Sequence, residues 1–221
     1  MAFFPLAGLG IGSLLALGFY LLSILFPRPL ALWLTIGLLV FLTGGLHLDG
    51  FADTMDGLAC RGTKERALEV MRDSRVGAFG VMGLVLLIGA KYLALDQISN
   101  AVIPYSLILM TVMGRSSMVS VCCRSPYARS TKGLAKPFTE NLGLREMIVS
   151  LITAFGIAFL LMGVKGVVVF FGIGLFGLGY RSFFIKKLGG VTGDILGAAN
   201  ELSELLCLLL LVILEKMGNL S

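Results

Sequence analysis

Residues 3–26 read FFPLAGLGIGSLLALGFYLLSILF, and none of these 24 side chains is charged. A helix of about 20 apolar residues is long enough to cross a bilayer, so this run predicts a membrane-spanning helix. The rest of the chain has the same character, because 57% of its 221 residues are hydrophobic and only 14% are charged. Soluble globular domains contain about 25% charged residues. The composition therefore excludes a soluble globule and predicts an integral membrane protein.

Similar apolar stretches recur along the chain and suit a single membrane domain over residues 1–221. They cover residues 3–26, 30–46, 77–95, 101–123, 147–164, 166–180 and 195–214. In lipid, backbone hydrogen bonds are satisfied only within helices or closed barrels, and stretches of this length predict an all-α bundle with about seven spans. Lys165 separates the fifth stretch from the sixth. If these two form one long kinked helix, the bundle has six spans.

Basic residues are distributed unevenly between the predicted loops. Thirteen lie in the segments 47–76, 124–146 and 181–188, whereas the opposite side has only Arg28, Lys165 and Lys216. An excess of lysine and arginine marks the cytoplasmic side of a membrane protein. We therefore expect the three long loops and the N-terminus to face the cytoplasm and the C-terminus to lie outside. The net charge of +5 has the same topological origin and does not indicate nucleic-acid binding.

Carboxylates cluster in two segments on this predicted cytoplasmic side. HLDGFADTMDG at 47–57 spaces its aspartates by four and three residues, which places them on one helix face. GGVTGD at 189–194 leads into the last span, where ionisable groups are costly and usually functional. A solvated acidic loop and acids that reach the interface are the alternatives, but this density of carboxylates suits Mg²⁺. The candidate ligands are Asp49, Asp53, Asp56, Asp194 and Glu201.

Two basic segments could bind phosphate next to such a metal site. MRDSRVGAFG at 71–80 and PYARSTKGLAK at 126–136 combine basic residues with hydroxyls and glycines. Arginine offers planar bidentate donors that match phosphate, although each segment alone also fits an ordinary cytoplasmic loop. Together with the carboxylates they predict a site for a diphosphate and a divalent ion. The candidate phosphate-binding residues are Arg61, Arg72, Ser74, Arg75, Arg129, Lys132 and Thr192.

Four polar motifs carry a family resemblance that extends over essentially the whole chain. They are GGLHLDGFADTMDG at 44–57, MRDSRVGAFG at 71–80, PYAR at 126–129 and GGVTGDILGAANELSE at 189–204. In these motifs and their order, the sequence resembles the cobalamin synthase family. The resemblance implies a Mg²⁺-dependent enzyme of the prokaryotic cell membrane. Such an enzyme joins adenosylcobinamide-GDP to α-ribazole, or its 5′-phosphate, and releases GMP.

The resemblance also frames the expected mechanism. The ribose 3′-hydroxyl of α-ribazole would attack the phosphorus nearer the cobinamide, and reactions of this type need no covalent nucleophile. A side chain is expected to take the hydroxyl proton, and the sequence does not choose among His47, Asp73 and Glu204. A polar segment that family members usually carry before the first span has no counterpart in residues 1–221.

Two other functional classes are alternatives. Asp53-Thr-Met-Asp56-Gly57 followed by Arg61 is similar to the first half of the CDP-alcohol phosphotransferase motif, but the second half is missing. A solute transporter would carry its polar residues near the bilayer midplane, whereas the acids here gather at one face. The sequence does not decide whether the chain acts alone, as a homo-oligomer or with other enzymes of the cobalamin pathway.

Overall fold

The computed structural model describes residues 1–129, 133 and 135–218, and most of these residues are helical. The helices are α1 (Phe4–Leu25), α2 (Arg28–Thr43), α3 (Leu46–Ala59), α4 (Lys64–Val70), α5 (Ala78–Gln97), α6 (Ile103–Cys122), α7 (Lys136–Asn141), α8 (Leu144–Leu188) and α9 (Gly193–Gly218). Within the described residues, β-structure is limited to one isolated bridge between Tyr127 and Val191. The predicted all-α fold is confirmed.

Helix α6 forms the centre of the bundle. Most of its side chains are buried, and α1, α8 and α9 pack around it. α1 approaches α6 closely at a glycine, since a methyl group at Gly8 would lie 2.5 Å from the carbonyl oxygen of Thr111. The Thr111 hydroxyl donates a hydrogen bond to the Gly8 carbonyl at 2.8 Å. Small residues at such crossings allow membrane helices to associate by close packing.

In the described part of the chain, five helices are long and apolar enough to cross a membrane, namely α1, α5, α6, α8 and α9. Together α2 and α3 form a sixth candidate, but α3 turns away from α2 by 91°. The turn lies at Gly44 and Gly45, whose φ angles of 60° and 68° are left-handed. The predicted second span thus ends at Thr43, and the aspartate-rich α3 begins a new direction.

The chain reverses direction inside α8. At Gly163 the backbone leaves the helical region, with φ 54° and ψ −131°. The rings of Phe155 and Phe170 lie 5.4 Å apart, whereas residues fifteen positions apart on a continuous helix would be separated by about 22 Å. The segments 144–162 and 164–188 are therefore antiparallel neighbours, as two separate spans require. The break lies at Gly163, two residues before the predicted position.

The reversal predicts that Gly163 does not tolerate a side chain. Its φ and ψ are close to a region that only glycine adopts readily, and forcing another residue into it costs about 1–3 kcal/mol. Gly163→Ala should therefore lower the thermal unfolding midpoint of the detergent-purified protein. Gly156→Ala is the matched control, because Gly156 is helical and faces open space in the same helix. Equal midpoints for the two variants would contradict the reversal.

Polar contacts separate the bundle into two distinct ends. At one end, the Arg28 guanidinium donates to the carbonyls of Asp96 and Ile98 at 2.8 and 2.6 Å. Glu215 accepts from the Ser99 amide at 3.3 Å at this same end. Asp194 lies 21 residues before Glu215 on α9, which is about 32 Å of helix rise. The acidic motifs therefore gather at the opposite end, where the basic loops also lie.

Candidate active site

The two acidic motifs lie side by side because α3 and α9 make a close backbone contact. A methyl group at Gly50 would lie 2.9 Å from the Cα of Asp194. One turn further along α9, a methyl group at Gly197 would lie 3.3 Å from the Cα of His47. The sequence predicted that segments 47–57 and 192–204 share one site, and the structure brings them into contact.

Asp53 lies among charged side chains from both α3 and α9. It is repelled by Asp49, one turn earlier on α3, and by Asp194 at the start of α9, whereas Arg129 attracts it. The Arg129 guanidinium donates to the Asp194 carboxylate at 2.7 Å. Its Nε is buried and has no hydrogen-bond partner among the described residues. The site thus combines three neighbouring carboxylates with an arginine whose Nε–H is not paired with any described residue.

A short backbone pairing positions Arg129. The amide of Ala128 donates to the carbonyl of Val191 at 3.0 Å, and the amide of Val191 donates to the carbonyl of Pro126 at 2.9 Å. Gly190 permits this pairing, because a methyl group there would clash with the Pro126 carbonyl. The segments 126–129 and 189–192 were predicted as separate motifs. They form one unit that places Arg129 next to Asp194.

Asp56 has a different set of partners from Asp53. Its carboxylate accepts hydrogen bonds from the amides of Gly77 and Gly80 at 2.7 and 2.8 Å. Gly77 is the N-cap of α5 and Gly80 lies in its first turn, and a carboxylate there satisfies donors that the helix leaves unpaired. The two glycines make room for Asp56, since a methyl group at Gly80 would lie 2.5 Å from its oxygen. Asp56 thus holds the start of α5, and its role as a metal ligand stays a prediction.

A cavity of about 340 Å³ opens beside the carboxylates. One wall is polar and contains His47, Asp49, Asp194 and Arg129. The remaining lining is mostly apolar and aromatic: Met1, Phe4, Leu46, Gly50, Met118, Tyr127, Ala135, Phe138, Gly193 and Leu196. A second, more open groove of about 370 Å³ contains Lys64, Arg72 and Arg129 with two glutamates. Arg129 lines both spaces, so they meet at the Arg129–Asp194 pair.

The donor set at this point fits Mg²⁺. No three histidine, cysteine, aspartate or glutamate side chains within the described residues are arranged to hold a metal ion by themselves. Mg²⁺ does not need such a cage, because it typically binds one or two carboxylates and completes its shell with water and substrate phosphates. Two carboxylates from among Asp49, Asp53 and Asp194, next to an arginine, would match that mode of binding.

Glu201 and Glu204 occupy a different environment, deep in the bundle. The Lys91 ammonium donates to both carboxylates at 2.6 Å, and Arg115 pairs with the other oxygen of Glu204. All four side chains are almost fully buried. Isolated ionisable groups inside a bilayer are expensive, so each must find a partner. Lys91 and Arg115 were not among the predicted site residues, although a charged residue within a span signals a buried ion pair such as the ones they form with the glutamates.

The family follows from comparison with known proteins. The family model described as cobalamin-5-phosphate synthase matches residues 1–212. The chain belongs to this family. A relative from Geotalea daltonii, named adenosylcobinamide-GDP ribazoletransferase, is 43% identical over 212 residues, covering 96% of this chain and 85% of the relative. A relative of the same name from Syntrophobacter fumaroxidans is 40% identical, and the match covers 94% of this chain and 84% of the relative. Another from Acetivibrio thermocellus is 36% identical, and the match covers 95% of this chain and 85% of the relative. No solved structure matches the chain.

In this member of the cobalamin-5-phosphate synthase family, the remaining residues predicted to bind phosphate do not all gather beside Arg129. Arg61, Arg72 and Ser74 are exposed on the loops around α4. Thr192 is fully buried, and its hydroxyl accepts from the Ile195 amide and bonds to Asp194, so it orders the start of α9 instead of facing a ligand. Lys132 lies outside the described residues.

Asp73 is held by its neighbour Arg75. The Arg75 guanidinium donates to both Asp73 oxygens, at 3.0 and 2.7 Å, and its backbone amide donates a further bond. These hydrogen bonds lower the pKa of Asp73 to about 2. A carboxylate with so low a pKa is a weak proton acceptor near neutral pH. This geometry disfavours Asp73 as the general base and occupies Arg75 within the loop.

The contact between α3 and α9 gives a direct test of the site geometry. Gly50→Ala should lower kcat/KM at least about tenfold, because the new methyl group meets Asp194 backbone and displaces one acidic motif from the other. Steady-state kinetics of the purified variant measure the effect. Gly37→Ala on α2 is the matched control, since nothing lies within 4 Å of that position. If Gly50→Ala kept the activity of Gly37→Ala, the α3–α9 contact would not set the geometry of the site.

Proposed function

We propose that this chain transfers the adenosylcobinamide-phosphate moiety of adenosylcobinamide-GDP to α-ribazole or its 5′-phosphate and releases GMP. The family and the names of its relatives support this reaction. The observation that carries it is that Asp49, Asp53 and Asp194 lie near Arg129, where the cavity adjoins the basic groove. The carboxylates there suit a divalent ion, and the arginine suits the oxygens of a diphosphate.

In the proposed reaction, the 3′-oxygen of the ribose forms a bond to the phosphorus nearer the cobinamide. The bond from that phosphorus to the bridging oxygen breaks, and GMP leaves with this oxygen. Arg129 would hold phosphate oxygens through its unpaired Nε, and Arg72 would hold further oxygens in the groove. Positioning and charge account for most of the catalysis in reactions of this kind.

Two of the carboxylates of Asp49, Asp53 and Asp194 would hold the Mg²⁺ ion that we propose as cofactor, together with water and substrate phosphates. When bound, the ion supplies positive charge that neutralises the diphosphate and the departing GMP. Glu201 pairs with Lys91 deep in the bundle, so it would fix α9 against α5, and its role as a metal ligand stays a prediction. Removing divalent ions with a chelator should abolish turnover, and added Mg²⁺ should restore it.

Among the three candidate bases, His47 has the position that suits the role. It lines the cavity together with Asp49 and Asp194. Glu204 is buried against Lys91 and Arg115, and Asp73 is bound to Arg75 in an exposed loop. Burial and the charge of Arg115 lower the pKa of His47 to about 4, which makes it a weak acceptor as well, so its place in the cavity is what distinguishes it. On that ground we propose that His47 takes the proton of the attacking hydroxyl.

The proposed reaction is tested by incubating the purified protein with adenosylcobinamide-GDP, α-ribazole and Mg²⁺. We expect a cobalamin product and GMP in equal amounts, with formation dependent on all three additions. Chromatography of the reaction mixture measures both products. GMP release without a cobalamin product would indicate hydrolysis, and the absence of both products would contradict the proposal.

We also propose that the active site faces the cytoplasm from the plasma membrane, which the distribution of basic loops supports. Topology reporters inserted at Cys60, Ala135 and Ile185 should give a cytoplasmic signal. Reporters at Ile98 and Gly218 should give an external signal. An external signal at Cys60, or a cytoplasmic one at Ile98, would contradict this orientation.

A further inference from the structure

The cavity beside the carboxylates has two chemically different walls. On one side, the rings of Phe4 and Phe138 meet edge to face with centroids 6.4 Å apart, and Met118 lies on the same lining. On the other side lie His47 and Asp194. We call this space the aromatic chamber. Cavities of this kind, largely apolar with a few convergent polar groups, bind small organic molecules in a fixed orientation.

We infer that the aromatic chamber is the binding site of α-ribazole. Its flat aromatic base packs against Phe4 and Phe138, and its ribose points to His47 and Asp194. The inference rests on the proposed function and adds to it by assigning the acceptor nucleoside to one side of the Arg129–Asp194 pair. Aromatic side chains bind flat bases by stacking, which tolerates variation in the base.

Size excludes the cobinamide from the chamber. The chamber volume of about 340 Å³ lies at the lower end of ligand pockets, which are about 300–1,000 Å³. That volume suits a nucleoside but not a corrin ring with its side chains. The open groove carries Lys64 and Arg72, and these cations suit the phosphates of the guanine nucleotide. Each substrate therefore has its own side of the site.

With this assignment, the position of Arg129 would bring the two substrates together. Arg129 lines both the chamber and the groove. A diphosphate held there from the groove side would lie beside the ribose of a nucleoside held in the chamber. The attacking hydroxyl and the phosphorus would then be neighbours before the reaction starts, which is the main requirement for a rapid transfer.

A lipid acyl chain is the competing occupant of an apolar cavity in a membrane protein. It would cover the charged groups Asp49, Asp194 and Arg129 of the chamber wall without offering them hydrogen bonds, and such desolvation is unfavourable. A nucleoside offers hydroxyl groups to the same wall. The polar wall therefore favours the nucleoside.

Two opposite substitutions at Phe138 test the assignment through base specificity. Phe138→Ala enlarges the chamber, and Phe138→Trp fills it. Phe138→Ala should raise the KM for α-ribazole about tenfold, the scale of losing one stacking contact, and leave the KM for adenosylcobinamide-GDP unchanged. With a riboside that carries a three-ring base, relative kcat/KM against α-ribazole should rise in Phe138→Ala and fall in Phe138→Trp. A variant that is merely less stable would not change this ratio in opposite directions.

Phe159→Ala is the control, because Phe159 is an exposed aromatic residue on α8 and should leave both KM values unchanged. An increase in the KM for adenosylcobinamide-GDP, or no change in either KM with Phe138→Ala, would overturn the assignment. Loss of co-purified lipid from Phe138→Ala with unchanged KM values would overturn it in favour of a lipid site. If the wild-type protein formed no cobalamin product, the proposed function would fail. Equilibrium dialysis with α-ribazole would then test the chamber alone: binding weakened by Phe138→Ala supports it, and no binding overturns it.

Discussion

Asp53→Asn and Asp194→Asn should each lower turnover more than about a hundredfold, the scale of losing one preorganised electrostatic group. Asparagine keeps the size of the side chain and one oxygen but removes the charge. Asp53 lies between Asp49 and Asp194, and Asp194 pairs with Arg129, so each change alters the charge balance at the proposed metal and diphosphate site. Initial rates of cobalamin formation measure the effect.

Two other acidic residues serve as matched controls for these changes. Glu140 forms an exposed ion pair with Lys136 at 3.7 Å, and Glu215 lies at the far end of α9. Glu140→Gln and Glu215→Gln should keep near-normal activity, because exposed ion pairs contribute little. Excess Mg²⁺ should partly restore Asp53→Asn if the loss is one of metal affinity. Near-normal turnover of Asp53→Asn would contradict the carboxylate–metal site.

Lys91→Met should destabilise the fold by about 3–5 kcal/mol, the cost of leaving buried charges without their partner. Lys91 is 3% exposed and donates to both Glu201 and Glu204. Among the described residues Arg115 forms an ion pair with Glu204 alone, so the substitution leaves Glu201 without its paired cation. Thermal unfolding of the purified protein in detergent measures the loss.

Lys165→Met makes the same chemical change at an exposed position on α8 and should leave the unfolding midpoint nearly unchanged. Combining Lys91→Met with Glu201→Gln should recover part of the lost stability, because removing both members of a buried pair costs less than removing one. A Lys91→Met protein as stable as Lys165→Met would show that the buried network does not hold α9 against α5.

Local spacing was sufficient to predict the helical bundle and the acidic face of α3. Asp49 and Asp53 are four residues apart, and any helix places such a pair on one face. The four-residue spacing of Gly8 and Gly12 likewise places both on the face of α1 that packs against α6, whereas Gly10 faces open space. These features depend on the period of the helix and not on the neighbours that the fold supplies.

The partners of individual carboxylates could not be predicted in this way. Asp56 shares the face of Asp53, but α5 begins beside it, and two amides 21 and 24 residues further along the chain bind its carboxylate. Glu201 shares a face of α9 with Asp194, but Lys91 of α5 lies opposite it. In both cases a long-range packing contact decides the role of the side chain, and the sequence pattern carries no information on which helix packs where.

The most direct test of the account is metal binding at the junction of α3 and α9. Mn²⁺ binds the same oxygen ligands as Mg²⁺ and can be followed by electron paramagnetic resonance. We predict that the wild-type protein with adenosylcobinamide-GDP binds Mn²⁺ tightly, and that Asp53→Asn and Asp194→Asn bind it much more weakly while Glu215→Gln binds it normally. Mn²⁺ binding that is unchanged in both aspartate variants, or absent from the wild-type protein with its substrate, would contradict a metal site shared by the two helices.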